Sequence, residues 1–331
     1  MKALVYTNTL EMEFRDEPEP DPKPGDALIK VSASGICGSD MHAYHGLDER
    51  RIPPLILGHE AAGTVMSGPE KGRQVAINPL ISCGHCHDCL GGRSNLCASR
   101  ELIGMRLAGA FADYVCVPSK NLIEMPANAS MVTASLMEPT AVSLHAVMLV
   151  EKCLHRPLSE CRALVIGGGA IGLLAALILA QKGTATIVMA ETNAGRRATV
   201  ASTGCCEVFD PLSDTGPDEE SFDIVIDAVG SGATRAASCR YARPGSVISH
   251  IGLQDNEPGL DTRRLTLQEI TFIGNYTYNP LDLHASLAAL TEGKLGTLDW
   301  VETRPLASGG DAFRSIHEGT SASPKIVLLP D

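Results

Sequence analysis

Four cysteines follow the pattern Cys83-x2-Cys86-x2-Cys89-x7-Cys97. Four thiolates so spaced suit a closed tetrahedral zinc with one loop wrapped around it, an iron–sulfur cluster being the other metal that fits. Gly84, Gly91 and Gly92 supply the sharp turns such a loop needs. His85 and His87 lie inside the run, but four sulfurs complete the shell, so both read as exposed loop residues. A closed shell does no chemistry. A catalytic zinc needs three protein ligands and an open position. Candidates for that role stand elsewhere: Cys37, in the run from Ser34 to His42; His59 and Glu60, after Leu57 and Gly58; and Glu138, before Pro139. Taken singly, each reads equally well as a buried thiol, a satisfied histidine, or a surface or helix-start acid.

A second chemistry is written in Gly167-Gly168-Gly169-Ala170-Ile171-Gly172, which fits G-x-G-x-x-G at Gly167, Gly169 and Gly172. The first glycine permits a tight turn, the second lets backbone approach a pyrophosphate, and the third lets helix and strand pack closely. The helix that follows offers free N–H groups to phosphates. Glu191 lies nineteen residues after Gly172 at the end of an apolar run, near the spacing of about twenty expected for a ribose-binding acid. A carboxylate there favours NAD and repels the 2′-phosphate of NADP. Arg196 and Arg197 pull the other way, since an arginine can hold that phosphate.

These residues need elements to hold them. Residues 1 to about 139 are rich in Gly, Pro and short β-like runs such as Ala27 to Val31 and Asp113 to Val117, and read as an antiparallel β region with long loops. Pro18, Pro20, Pro22 and Pro24, followed by Gly25, mark one such loop. From about 140 to 277, apolar strands alternate with helical stretches. The strands are Ala163 to Ile166, Thr186 to Ala190, Phe222 to Asp227, Ser246 to Ile251 and Ile270 to Ile273, with helices at Ile171 to Gln181 and Ala233 to Tyr241. That alternation predicts an α/β fold with a parallel, doubly wound sheet. After Tyr278 one helical stretch, Asp282 to Glu292, precedes a strand-like Lys325 to Leu329, which is expected to pack back on the first region.

Composition excludes several classes. The 331 residues carry 39 acidic and 27 basic side chains, a formal charge of -12, and no basic run, which suits no nucleic-acid partner. Ala163 to Ala180 is uncharged and mimics a membrane span, but its glycines make a strand, turn and helix the better reading, so no membrane partner is expected. The start turns polar at Thr7, too soon for a secretory core. Eleven cysteines, an odd number with four crowded together, fit a metal and a reducing cytoplasm better than a disulfide framework.

Taken in order, the Cys37 segment, Gly58-His59-Glu60, the four-cysteine loop, Glu138-Pro139, the glycine turn and Glu191 resemble the zinc-dependent medium-chain dehydrogenase/reductase family over essentially the whole chain. The run from Glu138 to Ala146 is similar to the polyol branch, which includes sorbitol and galactitol-1-phosphate dehydrogenases; the ethanol-type branch has a cysteine where Glu138 stands. The resemblance implies a GroES-like antiparallel β catalytic domain over 1–139, completed by 278–331, and a Rossmann coenzyme domain over 140–277. It implies two zinc ions per subunit, with Cys37 and His59 on the catalytic one, Glu60 and Glu138 alternating as third ligand, and Cys83, Cys86, Cys89 and Cys97 on the structural one. Ser39 would pass the alcohol proton toward His42, and Asp40 would orient His59. Ile171, Glu191 and Arg196 match cofactor contacts, and Ile251, Gly252, Leu253 and Asn275 to Thr277 fall where the family lines the nicotinamide end. The implied activity is oxidation of a secondary alcohol on a polyol or sugar-derived small molecule with NAD, in a homodimer or homotetramer.

Two departures stand out. The Thr64 to Val75 stretch is clipped and reads as a surface hairpin, and Thr277 stands near a position where sorbitol dehydrogenase has an arginine. The substrate pocket is therefore open: another alcohol class, such as a threonine-like amino alcohol or a simple diol, is the alternative, and a zinc-binding interaction module the non-enzyme alternative. Tyr44 and Tyr278 read either as substrate contacts or as packing.

Overall fold

The computed structural model describes every residue except Asn128 and Asp214. Its second half is built on a six-stranded sheet in the order Glu207–Phe209, Thr186–Ala190, Arg162–Ile166, Phe222–Asp227, Ala242–His250, Thr271–Gly274, parallel at every pairing. Strands buried on both faces read as continuous apolar runs, and Phe222–Asp227 is buried at all six positions. The strand order reverses at Arg162–Ile166, which opens a crevice at the carboxyl ends of the strands where dinucleotides bind in such sheets. The glycine turn lies at that end. The helix after it, Ala170–Gln181, buries eight of its twelve residues between the sheet and the helix Met137–Cys153, which explains its uncharged composition. Among the described residues no helix is long and apolar enough to cross a membrane.

The first half centres on the ten-residue strand Asp26–Gly35. It pairs antiparallel with Glu60–Val65, Tyr114–Pro118 and the last strand, Lys325–Leu329. The hairpin from Glu60–Val65 to Gln74–Ile77 carries the clipped stretch, as expected. The register sets Gly35 opposite Glu60, and a Cβ on Gly35 would strike the Glu60 carboxylate, so glycine is what lets that acid lie against the strand. Val327 and Leu328 pair with Gly35 and Ser34, so the chain's end does return to the first region.

Four elements differ from the expectation. The helix after Tyr278 is Pro280–Thr291; Asn279 caps it by accepting from the N–H groups of Leu281 and Asp282, and Pro280 occupies the first turn, where its missing N–H costs nothing. It is not alone: a second helix, Gly309–His317, and a strand, Val301–Pro305, parallel to Lys325–Leu329, follow it. The first lies behind two glycines, and the second has few apolar residues because it sits half exposed at the sheet's edge. A 17-residue helix, Met137–Cys153, holds Glu138 in its first turn. Pro139 is tolerated there because first-turn N–H groups have no partner within the helix.

Candidate functional site

Cys37 ends the turn after Asp26–Gly35 and caps the helix Gly38–Tyr44. Its N–H donates to one Asp40 carboxylate oxygen at 3.0 Å, and the other Asp40 oxygen lies 3.4 Å from Nδ1 of His59. Asp40 and His59 are both buried. Burial alone would push the Asp40 carboxyl up, but His59, Arg51 and the Cys37 N–H together hold it below its ordinary value. Burial likewise opposes a charged His59, yet Asp40 and Cys37 outweigh it and raise its pKa well above the imidazole norm. The surroundings thus favour positive charge at this point, as a metal site requires.

His59 follows Gly58, whose φ of +92° only glycine adopts freely and whose absent side chain leaves room for the Phe111 ring 2.6 Å from where a Cβ would be. Glu60 opens the next strand. Ligand atoms of Cys37, His59 and Glu60 all lie within 4.8 Å of one another. Glu60 is also gripped by Lys325, whose Nζ donates to both carboxylate oxygens at 2.8 and 2.6 Å and to the Ile36 carbonyl at 2.8 Å. Glu138 stands beside this trio, within electrostatic reach of His59, Glu60 and Lys325. Burial pushes its carboxyl up to about 7, with Glu60 adding to the shift and His59, Lys325 and the Tyr278 hydroxyl opposing it. The donor set, one thiol, one imidazole and a choice of two carboxylates, fits an open zinc site.

On the same helix as Asp40, Ser39 accepts a hydrogen bond from Nη2 of Arg51 at 3.1 Å. Arg51 is fully enclosed, its Nε donating to the Gly104 carbonyl and its Nη1 to Asp48. His42 lies one turn beyond Ser39, half buried, and burial lowers its pKa with Asp48 opposing. The contacts of Arg51 with Ser39 and of Lys325 with Glu60 escape a local reading, since they span 12 and 265 residues. The one hint is a single charge heading the apolar run Ile326 to Leu329. Tyr278 is buried with its hydroxyl 3.4 Å from Asn78 and beside Glu138. Tyr44 packs on Phe313, ring centroids 5.3 Å apart, within an apolar cluster.

The four lobe cysteines also bring their sulfurs within 4.8 Å of one another, Cys83 and Cys89 at 3.9 Å. Backbone N–H groups of His85 and Cys86 hold the Cys83 thiol down at about 6, toward the thiolate that metals bind. His85 and His87 are exposed and outside this set. Gly84 and Gly92 adopt φ of +79° and +74°, whereas Gly91 is an ordinary helix end with φ of -81°.

At the glycine turn, Gly167 has φ of +98° and a Cβ on Gly172 would collide with its carbonyl. Gly169, which precedes the helix, has no atom within 4 Å of where its Cβ would be, which leaves the approach a pyrophosphate needs. Glu191 follows Thr186–Ala190; its Oε2 accepts from the Gly168 N–H at 2.7 Å and its Oε1 from the Asn193 N–H at 2.7 Å. Arg196 reaches Oε2 at 3.6 Å, while Arg197 is taken up by the carbonyls of Glu191 and Thr192 and by Asp210. Ile171 joins the helix to its neighbour, its carbonyl accepting from Ser143 at 2.9 Å. Ile251 is half buried and Leu253 exposed just past Ala242–His250. The side-chain N and O of Asn275 and Oγ1 of Thr277 are buried without a partner. Orphaned buried polar atoms call for an explanation, and a ligand is one.

Comparison with known proteins agrees with this geometry. Residues 23–127 match the alcohol dehydrogenase GroES-like domain and residues 170–292 the zinc-binding dehydrogenase family. L-galactonate-5-dehydrogenase of Escherichia coli (strain K12) is 31% identical over 335 residues, covering 95% of this chain and 94% of that protein. Among solved structures, galactitol-1-phosphate dehydrogenase from Escherichia coli superimposes with a TM-score of 0.89 at 25% identity over 100% of both chains. A protein of Sinorhizobium meliloti 1021, described as a zinc-binding dehydrogenase and solved with NADP, gives 0.88 at 27% identity over 99% of both chains. The chain belongs to the zinc-binding alcohol dehydrogenases, oxidoreductases that join a GroES-like domain to a Rossmann domain and act on an alcohol with a nicotinamide dinucleotide.

Proposed function

We propose that this enzyme oxidises a secondary alcohol of a polyol or sugar-derived substrate and passes the hydride to NAD. The observation that carries it is the clustered donor set of Cys37, His59 and Glu60, with Glu138 beside it, in a chain whose relatives include one named for a sugar acid and one for a sugar alcohol phosphate, beside L-threonine 3-dehydrogenases at 27% identity. Cys37 and His59 hold the catalytic zinc, with Glu60 or Glu138 as third ligand, and Cys83, Cys86, Cys89 and Cys97 hold the structural one. Bound zinc supplies Lewis acidity that makes the alcohol a better acid, and the bound dinucleotide supplies the hydride acceptor. Asp40 keeps the His59 ring in place. The Ser39 oxygen takes the alcohol proton and hands it toward His42, while Arg51, donating to that oxygen, fixes its orientation.

The backbone around Gly167, Gly169, Ile171 and Gly172 receives the pyrophosphate, and Ile251, Leu253, Asn275 and Thr277 line the nicotinamide end. Glu191 accepts the ribose hydroxyls, with Arg196 beside it. Its carboxylate accepts two backbone N–H groups and would repel a 2′-phosphate, and Arg197 is engaged by Asp210, which favours NAD over NADP. We divide the chain into 1–139 with 278–331, and 140–277, and place it in the cytoplasm as a homodimer or homotetramer. Its eleven cysteines, four of them clustered for metal, suit a reducing compartment.

The test is purified protein with zinc counted per chain, then NADH formation across sugar alcohols, sugar acids and their phosphates, with L-threonine and simple diols beside them. About two zinc ions per chain are expected from one closed and one open site, with turnover on polyol-type substrates that Cys37→Ser abolishes while the protein stays folded. Turnover confined to L-threonine or simple diols overturns the substrate class, and activity retained in Cys37→Ser overturns the site.

A further inference from the structure

We propose that the four-cysteine lobe positions the nicotinamide-side segment Asn275 to Thr277, acting through Asn95 and Arg100 on Tyr276. The inference rests on the reading that this segment lines the nicotinamide end, and it gives the lobe a part in ligand binding that holding a closed metal does not.

Two lobe side chains, one on each side of the buried Cys97, grip one residue of the coenzyme half. Asn95, itself 5% exposed, donates from Nδ2 to the Tyr276 carbonyl at 2.9 Å. Arg100 donates from Nε to the Tyr276 hydroxyl at 3.3 Å and lays its guanidinium 4.7 Å from the ring centroid. The same guanidinium donates from Nη1 to the Cys97 carbonyl at 2.9 Å, so the grip is tied directly to a metal-run residue. A cation on an aromatic face, an N–H to its hydroxyl and an amide to its backbone together fix one tyrosine in position and direction.

The segment so held is one that needs holding. It leaves the edge strand Thr271–Gly274, and its last ladder bond is from the Asn275 N–H to the His250 carbonyl. Thr277 then takes φ of +50°, a left-handed conformation that a β-branched residue keeps only where its surroundings impose it. Tyr278, buried against Asn78 and Glu138, anchors the far side. Pinned at Tyr276 and Tyr278, the chain holds the Asn275 carboxamide and Thr277 Oγ1 buried with no protein partner. A carboxamide offers one acceptor and two donors, the complement of another primary carboxamide, which is the group a nicotinamide ring carries. The lobe thus pre-orders the groups that would otherwise have to be ordered when the ligand arrives.

The test compares binding of NADH with that of ADP-ribose, which lacks the nicotinamide, to the zinc-loaded enzyme. Arg100→Met should keep about two zinc ions per chain and weaken NADH about tenfold through the lost pre-ordering, with ADP-ribose unchanged. Tyr276→Ala, which leaves the Arg100 to Cys97 bond intact, should do the same, and Tyr276→Phe, which keeps the ring face, should lie near the wild type. The double variant should bind no worse than either single one, because both remove one coupled contact. NADH binding equal to wild type in Arg100→Met and Tyr276→Ala overturns the lobe's role, as does equal weakening of NADH and ADP-ribose. Wild-type protein that binds NADH no better than ADP-ribose overturns the reading of the segment itself, and the inference with it.

Discussion

At the scale of single residues, the pair Lys325–Glu60 says most about how the catalytic region is held. Both are buried, Glu60 completely. Burying two opposite charges has a desolvation penalty of several kcal/mol per ion, offset only when geometry is good and the remaining hydrogen-bonding groups are satisfied. Here Nζ meets both Glu60 oxygens and the Ile36 carbonyl. Removing one partner strands the other, so Lys325→Met should destabilise the protein by about 3–5 kcal/mol, read from denaturant midpoints. Burial disfavours the charged lysine, but Glu60, Cys37 and Glu138 outweigh it and raise its pKa. Stability from a raised pKa is complete below the unfolded lysine's value and is lost only as pH climbs through the folded one. The lysine's own titration therefore adds no pH dependence between pH 6 and 8, but Lys325 also holds down the Glu138 carboxyl, raised to about 7, so the deficit should grow as pH climbs through that range. A loss under about 1 kcal/mol, within the range of exposed pairs, would mean that Glu60 does not depend on Lys325.

Elements differ in how plainly residues announce them. Thr186–Ala190 is legible to the residue because a strand buried on both faces is a near-continuous apolar run, and Phe222–Asp227 reads the same way apart from the buried Asp223 and the closing Asp227. Gly309–His317 is not, because its apolar face is short, resting on Ala312 and Phe313 with Ile316 half buried, behind two glycines of poor helix propensity. Val301–Pro305 exists because Lys325–Leu329 pairs with it, which no local pattern records. The same division holds in the site. Cys37, His59 and Glu60 are readable as types that bind metal, while Arg51 and Lys325 become visible only when distant segments meet. Pro280–Thr291 shows how a boundary shifts: Asp282 looks like a start, yet Asn279 is the cap. Asp282 accepts both the Asn279 N–H at 2.9 Å and Nδ1 of His145 at 2.7 Å, so it serves the cap and the contact with Met137–Cys153 at once. Asn279→Ala should cost about 1 kcal/mol, and Asp282→Ala more than that. Equal losses in chemical denaturation would show that the His145 contact adds nothing.

Over the whole molecule, the helix Met137–Cys153 joins the two chemistries. Its first turn carries Glu138 at the metal-ligand cluster, and Ser143, five residues and about 7.5 Å along the axis, bonds the Ile171 carbonyl behind the glycine turn. Its inner face continues a core that does not respect the division between the halves. One apolar cluster contains Ala33 and Val327 of the first sheet, Leu136, Val147 and Val150 around this helix, Leu173 of the helix Ala170–Gln181, and Ile224 and Val247 of the second sheet. Separate cores would melt separately, whereas a shared core makes loss of either half expose the other. Calorimetry of the zinc-loaded enzyme should therefore show one endotherm. NADH gives a sharper version of the same test. A ligand at 100 times its Kd stabilises whatever it binds by about 2.7 kcal/mol, so saturation should move the whole endotherm upward, including signals from the four-cysteine lobe and from Trp300, which belongs to the shared cluster. Two endotherms with only one displaced by NADH would show that the shared cluster does not couple the halves, and that the metal cluster and the dinucleotide turn are stabilised independently.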